Sequence, residues 1–290
     1  MLFAAERCCC ILNCDRFAVI GHPIGHTMSP FIHKRLFSLS GLSAEYGVLD
    51  IAELSNGIDA LRKLDGFNIT IPHKVNIIPY LDEIDDNVCG SVNTVRCANG
   101  KMKGFTTDGA GCLKALHNHG AGFNGHILLL GNGGAARAVA FEALNAFKSL
   151  TLAVRRRERG LELAADLLAH KPEAEIEVVT FEEEEKSLKK YDLLVNTTSV
   201  GMFPNAGRSP VGESVVSRCE SVFDAVYNPR ETKLLQAASK LQKNVIGGME
   251  MLVFQAVKAH EYWYGAEFSG FDVMKLCEDA QEEMNRLFAE

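Results

Sequence analysis

A short apolar run, a glycine-rich turn and a helix-like segment follow one another at residues 127–144, ILLLGNGGAARAVAFEAL. No other stretch limits the possible folds as tightly. His126–Leu130 is the kind of run expected of a strand buried on both faces. Gly131, Gly133 and Ala136 then satisfy G-x-G-x-x-A where a helix begins. The first glycine permits a tight turn, the second lets backbone approach a pyrophosphate, and Ala136 lets helix and strand pack closely. The helix N-terminus offers free amides to the phosphates. A purely structural β–α turn is the alternative, and the strand before and helix after favour dinucleotide binding.

In such a unit the second strand ends near the adenosine ribose, roughly 20 residues after the glycines, where NAD enzymes carry a carboxylate. Here the strand Leu150–Val154 runs into Arg155, Arg156 and Arg157. Guanidinium groups grip phosphate in bidentate fashion and stack on aromatic rings. The segment therefore reads as a pocket for the 2′-phosphate and adenine of NADP, ahead of a solvated basic helix start or a nucleic-acid patch. The net charge of −7 also makes nucleic acid a poor partner.

Around this unit strands and helices alternate, the pattern of α/β architecture with a mainly parallel sheet. Predicted strands are Phe17–Ile20, Tyr46–Leu49, Phe67–Ile71, His126–Leu130, Leu150–Val154, Ile176–Thr180, Leu193–Asn196, Val222–Val226 and Asn244–Ile246, with a hairpin-like stretch around Thr94–Phe105. Helices are expected from Pro30, over Ile58–Leu64, after Pro72, from Asp108 to His119, and over Val273–Phe288, the last folding back on the first half. The acidic run Glu182–Glu185 reads as a solvated helix start. Gly120–Gly125 reads as a domain joint, and 290 residues suit two domains.

No apolar run approaches the roughly 20 residues of a membrane-spanning helix. The first dozen residues read as an appendage, and Glu6 and Arg7 interrupt what would be a signal peptide's apolar region. The nine cysteines are either adjacent (Cys8–Cys10) or scattered, which suits free thiols in a reducing cytoplasm. Cys10 and Cys14 lack the second ligand pair a zinc site needs.

Upstream, FAVIGHPIGHTMSPFIHKRLF places Ser29 as a helix N-cap and Pro30 as its first residue. With Thr27 two residues earlier, these hydroxyls and the helix amides can hold a carboxylate without a cation. Capping alone explains the segment equally well. In GFNITIPHKVN, Asn68 and Thr70 alternate with apolar residues and leave one face of a strand. Pro72 stops it, and Lys74 follows at a helix start, a place that suits proton transfer with an alcohol oxygen. A lone lysine is more often a solvated charge. Further on, in SVNT (91–94) and GFTTDGAG (104–111), Asp108 either caps a helix or pairs with Lys74.

Taken in order, VIGHPIGHTMSPFIH, NITIPHK, GSVNTV, GFTTDGAG, GNGGAARA, NTTSVGM, DAVYNP and GGMEMLVFQA give the chain its resemblance to the shikimate dehydrogenase family, which includes quinate/shikimate dehydrogenases. The resemblance implies a Rossmann-type NADP domain (108–247) set into an α/β substrate-binding domain (1–107 plus 248–290). It implies reversible NADPH-dependent reduction of 3-dehydroshikimate to shikimate in aromatic amino acid biosynthesis. By motif, Lys74 and Asp108 correspond to the catalytic pair. Thr27 and Ser29 correspond to carboxylate ligands, Thr70, Asn93 and Gln255 to ligands of substrate hydroxyls, and Tyr227 to a residue near the carboxylate. Gly131, Gly133, Gly134, Ala135, Ala136, Arg155, Arg156, Thr197 and Gly248 fall at cofactor positions. No metal, nucleic acid or membrane is implied; a cytoplasmic monomer or homodimer is expected. His22, His26, His33 and His73 read as polar cleft-rim residues.

Three motifs depart from the family pattern. Thr27 stands for a serine, Thr106 for an asparagine, and Val154 and Arg156 replace the flanks of an Asn-Arg-Thr motif of which Arg155 remains. The first two leave room for a quinate or dual quinate/shikimate dehydrogenase, since a methyl group or lost amide shifts discrimination by only a few kcal/mol. NAD use would accompany that reading. A non-catalytic sensor of pathway metabolites is a third, opposed by retention of Lys74, Asp108 and the glycine turn.

Overall fold

The computed structural model describes residues 15–25 and 27–287. The N-terminal appendage, Cys8–Cys10, Cys14, His26 and the expected helix end at Phe288 lie outside them. Strands β1 (Asp15–Gly21), β2 (Ala44–Asp50), β3 (Gly66–Ile69), β4 (Glu83–Ile84), β5 (Thr94–Ala98) and β6 (Lys101–Phe105) form a sheet in the order β2-β1-β3-β5-β6-β4. Strand β1 runs parallel to β2 and β3, whereas β3–β5 and β5–β6 are antiparallel. The expected hairpin is β5–β6, turned by Asn99 and Gly100 at φ of 52° and 76°, the left-handed conformation those two residues tolerate best.

The second sheet is wholly parallel. Its strands β7 (His126–Leu130), β8 (Ser149–Val154), β9 (Ile176–Thr180), β10 (Tyr191–Asn196), β11 (Cys219–Asp224) and β12 (Asn244–Gly247) lie in the order β12-β11-β10-β7-β8-β9. This is the doubly wound dinucleotide-binding order, and it reverses between β7 and β10, where such sheets open a crevice at the strand C-termini. Strand β7 is buried on both sides, as its sequence requires. Ile127 and Leu129 enter one core cluster, and Leu128 and Leu130 enter another.

The helices are α1 (Ser29–Ser40), α2 (Ile58–Leu61), α3 (His73–Asn76), α4 (Asp108–Asn118), α5 (Gly134–Ala143), α6 (Arg157–His170), α7 (Phe181–Lys186), α8 (Glu213–Val216), α9 (Lys233–Lys240), α10 (Gly248–Tyr264) and α11 (Gly270–Leu287). The last two do return to the first half. Val253 and Ala256 of α10 and Val273 and Leu276 of α11 share a cluster with Met28, Ile32 and Leu36.

Several expectations are corrected. Strand β3 stops at Ile69 rather than Ile71, because His73 N donates to Thr70 O at 3.0 Å and closes a turn around Pro72. Helix α2 ends at Leu61 rather than Leu64. Ser29 is not the N-cap of α1: Met28 occupies that position without a side-chain bond, and the Ser29 amide donates to Thr27 Oγ1 at 3.2 Å. The acidic run is not wholly solvated. Thr180 and Glu183 form a capping box, while Glu184 is buried, accepts the Tyr191 hydroxyl at 2.9 Å and meets Arg218 at 2.8 Å.

Of the histidines read as rim residues, His33 and His73 are buried. His33 stacks on Tyr46 with centroids 4.2 Å apart, and its Nδ1 lies 2.9 Å from His260 Nε2. His260 Nδ1 in turn meets the Tyr264 hydroxyl. Burial, and secondarily the nearby His260, lowers the His33 pKa, while burial brings His260 to about 3. The unfolded chain would bind both protons below about pH 6.5. Their contribution to stability is therefore complete above that pH. It is lost as pH falls toward 3, at about 1.4 kcal/mol per pH unit per histidine. Urea unfolding should show lower stability at pH 5 than at pH 7, and His260→Gln should flatten the difference; an unchanged pH dependence in the variant would exclude this source.

Candidate active site

The turn after β3 carries Lys74 in α3, and Val92 N donates to the Lys74 carbonyl at 2.8 Å, tying it to the strand entry beyond. The Lys74 side chain crosses to α4, where Nζ lies 2.5 Å from Asp108 Oδ2. Asp108 does not cap α4. Thr107 holds the N-cap position, and the carboxylate turns inward, with only 6% of the Asp108 side chain exposed and 16% of the Lys74 side chain. The ion pair is thus the observed alternative of the two that the sequence left open.

Asn93 fixes the other oxygen. Its amide donates to Asp108 Oδ1 and Thr107 Oγ1, both at 2.8 Å, and approaches Gln255 Oε1 at 3.3 Å. In return the Thr107 amide donates to Asn93 Oδ1 at 2.8 Å, and its hydroxyl donates to Gln255 Oε1 at 3.3 Å. Thr107 is the residue that sequence reasoning missed; its place beside Asp108 was the available signal. Asn68 is likewise committed, accepting the Tyr46 hydroxyl at 2.7 Å and donating to Thr94 Oγ1 at 3.1 Å. Thr70 sits half-buried just past the strand end.

On the loop before α1, the Thr27 hydroxyl donates to Ser29 Oγ at 3.1 Å. Ser29 is also a partner of Tyr46, whose phenol burial raises well above its ordinary value and so keeps neutral. Tyr227 packs on the Met28–Ile32 cluster, and burial raises its phenol too. Thr27 and Ser29 therefore gather at the start of α1, and Tyr227 borders the apolar cluster that α1 shares with α10 and α11. Thr106 Oγ1 is enclosed without a partner among the described residues.

At the second sheet, Gly131 takes φ +109°, and a Cβ there would lie 3.0 Å from Thr197 Oγ1. Thr197 itself donates to Leu130 O at 2.7 Å. Nothing lies within 4 Å of where a Gly133 Cβ would be, and no side chain caps α5. Ala135 is half-buried and Ala136 fully buried. Arg155 and Arg156 project from the end of β8, exposed and without an ion pair among the described residues, whereas Arg157 is taken by Val178 O and Glu183. Open space over a bare helix N-terminus, with two free guanidinium groups beyond the next strand, fits a phosphate-bearing dinucleotide. Gly248 serves close packing, since a Cβ would meet Ala225 O at 2.4 Å.

The ends of β10 and β11 are joined by a network the sequence did not reveal. Buried Asp224 accepts from Thr232 Oγ1 at 2.6 Å, Asn196 Nδ2 at 2.8 Å and Val226 N at 3.0 Å. Burial outweighs these donors and raises its pKa to about 6. No cluster of three or more metal-ligating side chains occurs among the described residues.

Residues 19–95 match the family profile described as the shikimate dehydrogenase substrate binding domain. A shikimate dehydrogenase (NADP(+)) of Shouchella clausii is 39% identical over 259 residues, spanning 86% of this chain and 93% of the relative. This chain belongs to the shikimate dehydrogenase family. Among solved members, the Thermus thermophilus shikimate 5-dehydrogenase in complex with NADP(H) and shikimate superposes with a TM-score of 0.80. It is 31% identical, and the match covers 92% of this chain and 99% of that one. A quinate dehydrogenase of Corynebacterium glutamicum in complex with NAD gives 0.81 at 26% identity, covering 91% and 98%.

Because Asn93 bridges Asp108, Thr107 and Gln255 at once, its removal strands buried polar atoms. Asn93→Ala should lower unfolding free energy by about 1–3 kcal/mol, read from urea midpoints at unchanged m-value; a loss within error would mean the network re-forms without it.

Proposed function

We propose that this chain is a shikimate dehydrogenase, reversibly reducing 3-dehydroshikimate to shikimate with NADPH in aromatic amino acid biosynthesis. The observation that carries the reading is the enclosed Lys74–Asp108 pair at the mouth of a dinucleotide-binding turn. When bound, the nicotinamide supplies a hydride to the substrate's C3 carbonyl. Lys74 then furnishes the proton for the developing alkoxide, and Asp108 holds the ammonium in place and takes a substrate hydroxyl. Asn93, Thr70 and Gln255 orient the ring hydroxyls. Thr27 and Ser29 bind the carboxylate with neutral donors, and Tyr227 stands beside it. Binding the carboxylate without a cation keeps the positive charge of the substrate site at Lys74.

Gly131 and Gly133 receive the pyrophosphate at the α5 N-terminus, whose first turn is built by Gly134, Ala135 and Ala136. Thr197 and Gly248 border the cofactor, and Arg155 and Arg156 hold the 2′-phosphate. The substrate-binding unit is 1–107 plus 248–290, and the cofactor unit is 108–247. None of the helices among the described residues is long and apolar enough to cross a membrane. The buried free thiols of Cys89, Cys112, Cys219 and Cys277 suit a reducing cytoplasm.

Quinate is the second reading. Thr27 in place of serine adds a methyl group beside the carboxylate, and the likeness to an NAD-bound quinate dehydrogenase gives it a precedent. The free Arg155 and Arg156 favour the first. Initial rates with shikimate and quinate, each paired with NADP and NAD, decide between them. Shikimate with NADP should give the highest kcat/KM, and Lys74→Ala should lower kcat by roughly 100-fold or more while leaving substrate binding measurable. Preference for quinate with NAD would replace the proposal with the alternative; ligand binding without turnover in any pairing would leave a sensor.

A further inference from the structure

Gly134 opens α5 in the cofactor-binding turn, yet its closest neighbours belong to the other sheet's side of the molecule. A Cβ placed on it would lie 2.9 Å from Lys74 Cβ, 3.1 Å from Lys74 Cδ and 2.9 Å from Ser91 Oγ. Contacts under 3.0 Å essentially never occur, and two of these atoms sit at the root of their side chains, where little can give way. Ser91 is 1% exposed, and its hydroxyl has no partner among the described residues. Backbone conformation does not ask for glycine here, because Gly134 is absent from the positive-φ residues and lies in an ordinary helical turn. The missing side chain is therefore explained by the stem of Lys74 lying across it.

Resting on the reading of Lys74 as the proton donor, we propose that Gly134 is a positioning residue for Lys74: the glycine turn forms the bed on which the lysine stem lies straight toward Asp108. Its neighbour Gly133 provides the contrast. It has an extended backbone (φ −78°, ψ −172°) and open space around its Cα, the approach left for a pyrophosphate. Two adjacent glycines of one turn thus serve two different chemical tasks. One leaves room for the cofactor, the other for the lysine. The proton donor reaches its working position only while the cofactor turn is docked against α3, which ties proton delivery to the seating of the cofactor unit.

The experiment compares Gly134→Ala with Gly133→Ala. Both are measured for NADPH dissociation constant by fluorescence titration, for kcat with shikimate and NADP across pH, and for thermal midpoint. Alanine favours the helix more than glycine does, but its methyl must displace the Lys74 stem, so Gly134→Ala should fold with a midpoint at or modestly below the parent's. Its kcat should fall by roughly 10- to 100-fold, with the NADPH dissociation constant within about threefold of the parent. The pH limb of its kcat should be displaced from the parent's, because Lys74 no longer meets Asp108 in the parent geometry. Gly133→Ala should do the reverse, weakening NADPH binding with the pH limb in place. A Gly134→Ala variant that loses NADPH affinity while its limb stays put would assign it to cofactor binding alone and overturn the proposal, as would one that fails to fold. An inactive parent protein would instead defeat the dehydrogenase reading, so the two failures are distinguishable.

Discussion

The molecule is organised by how closely helix α4 can approach its neighbours. A Cβ on Gly109 would strike the Ala138 carbonyl of α5 at 2.5 Å, and one on Gly111 would meet Met251 O and Gln255 N of α10 at 2.8 and 2.9 Å. Glycine at these two positions lets three helices touch through their backbones. One of the three carries the glycine-rich turn, one carries Gln255, and α4 itself begins with Asp108. Cys112, Ala115 and Leu116 then continue the contact into the core beneath β7. Replacing either glycine by a larger residue would push apart the elements that bring Lys74, Asp108 and Gln255 within reach of one another.

Much of this was legible along the chain, where the signals are local. The glycine turn with its apolar strand, the hairpin-like stretch around Thr94–Phe105 and the alternating strands and helices each follow from neighbouring residues. What escaped was set by partners far away in sequence. Glu184 looks like its acidic neighbours until Tyr191 and Arg218 are folded onto it. His33 resembles a polar rim residue, yet it lies beside Ile32 on the buried side of α1, where His260 reaches it from 227 residues away. Ser29 has the composition of an N-cap, but its hydroxyl accepts from Thr27 and Met28 holds the cap position. The candidate site divides in the same way. Lys74 and Asp108 were two possibilities each from local chemistry, their pairing among them, and the family resemblance favoured it. Thr107 was hidden because its role depends on Asn93 and Gln255 at once.

Charge is handled economically around the cleft. Lys74 is matched by Asp108, and the Thr27–Ser29–Tyr46 group is neutral. His33 and His260, which adjoin it through Tyr46, are kept uncharged by burial. A neutral floor under one charged pair leaves the local field to be set by that pair and by the open end of α5, where low-dielectric surroundings strengthen it.

The seating of α10 and α11 on α1 has a consequence for synthesis. Met28, Ile32 and Leu36 share their buried cluster with Val253, Ala256, Val273 and Leu276, which follow more than 200 residues later in a chain of 290. On the ribosome the all-parallel sheet, built from one continuous stretch, can close while α1 still waits with its apolar face uncovered. A segment made early is thus among the last to be completed, and the window in which it needs protection lasts through the synthesis of the whole all-parallel sheet.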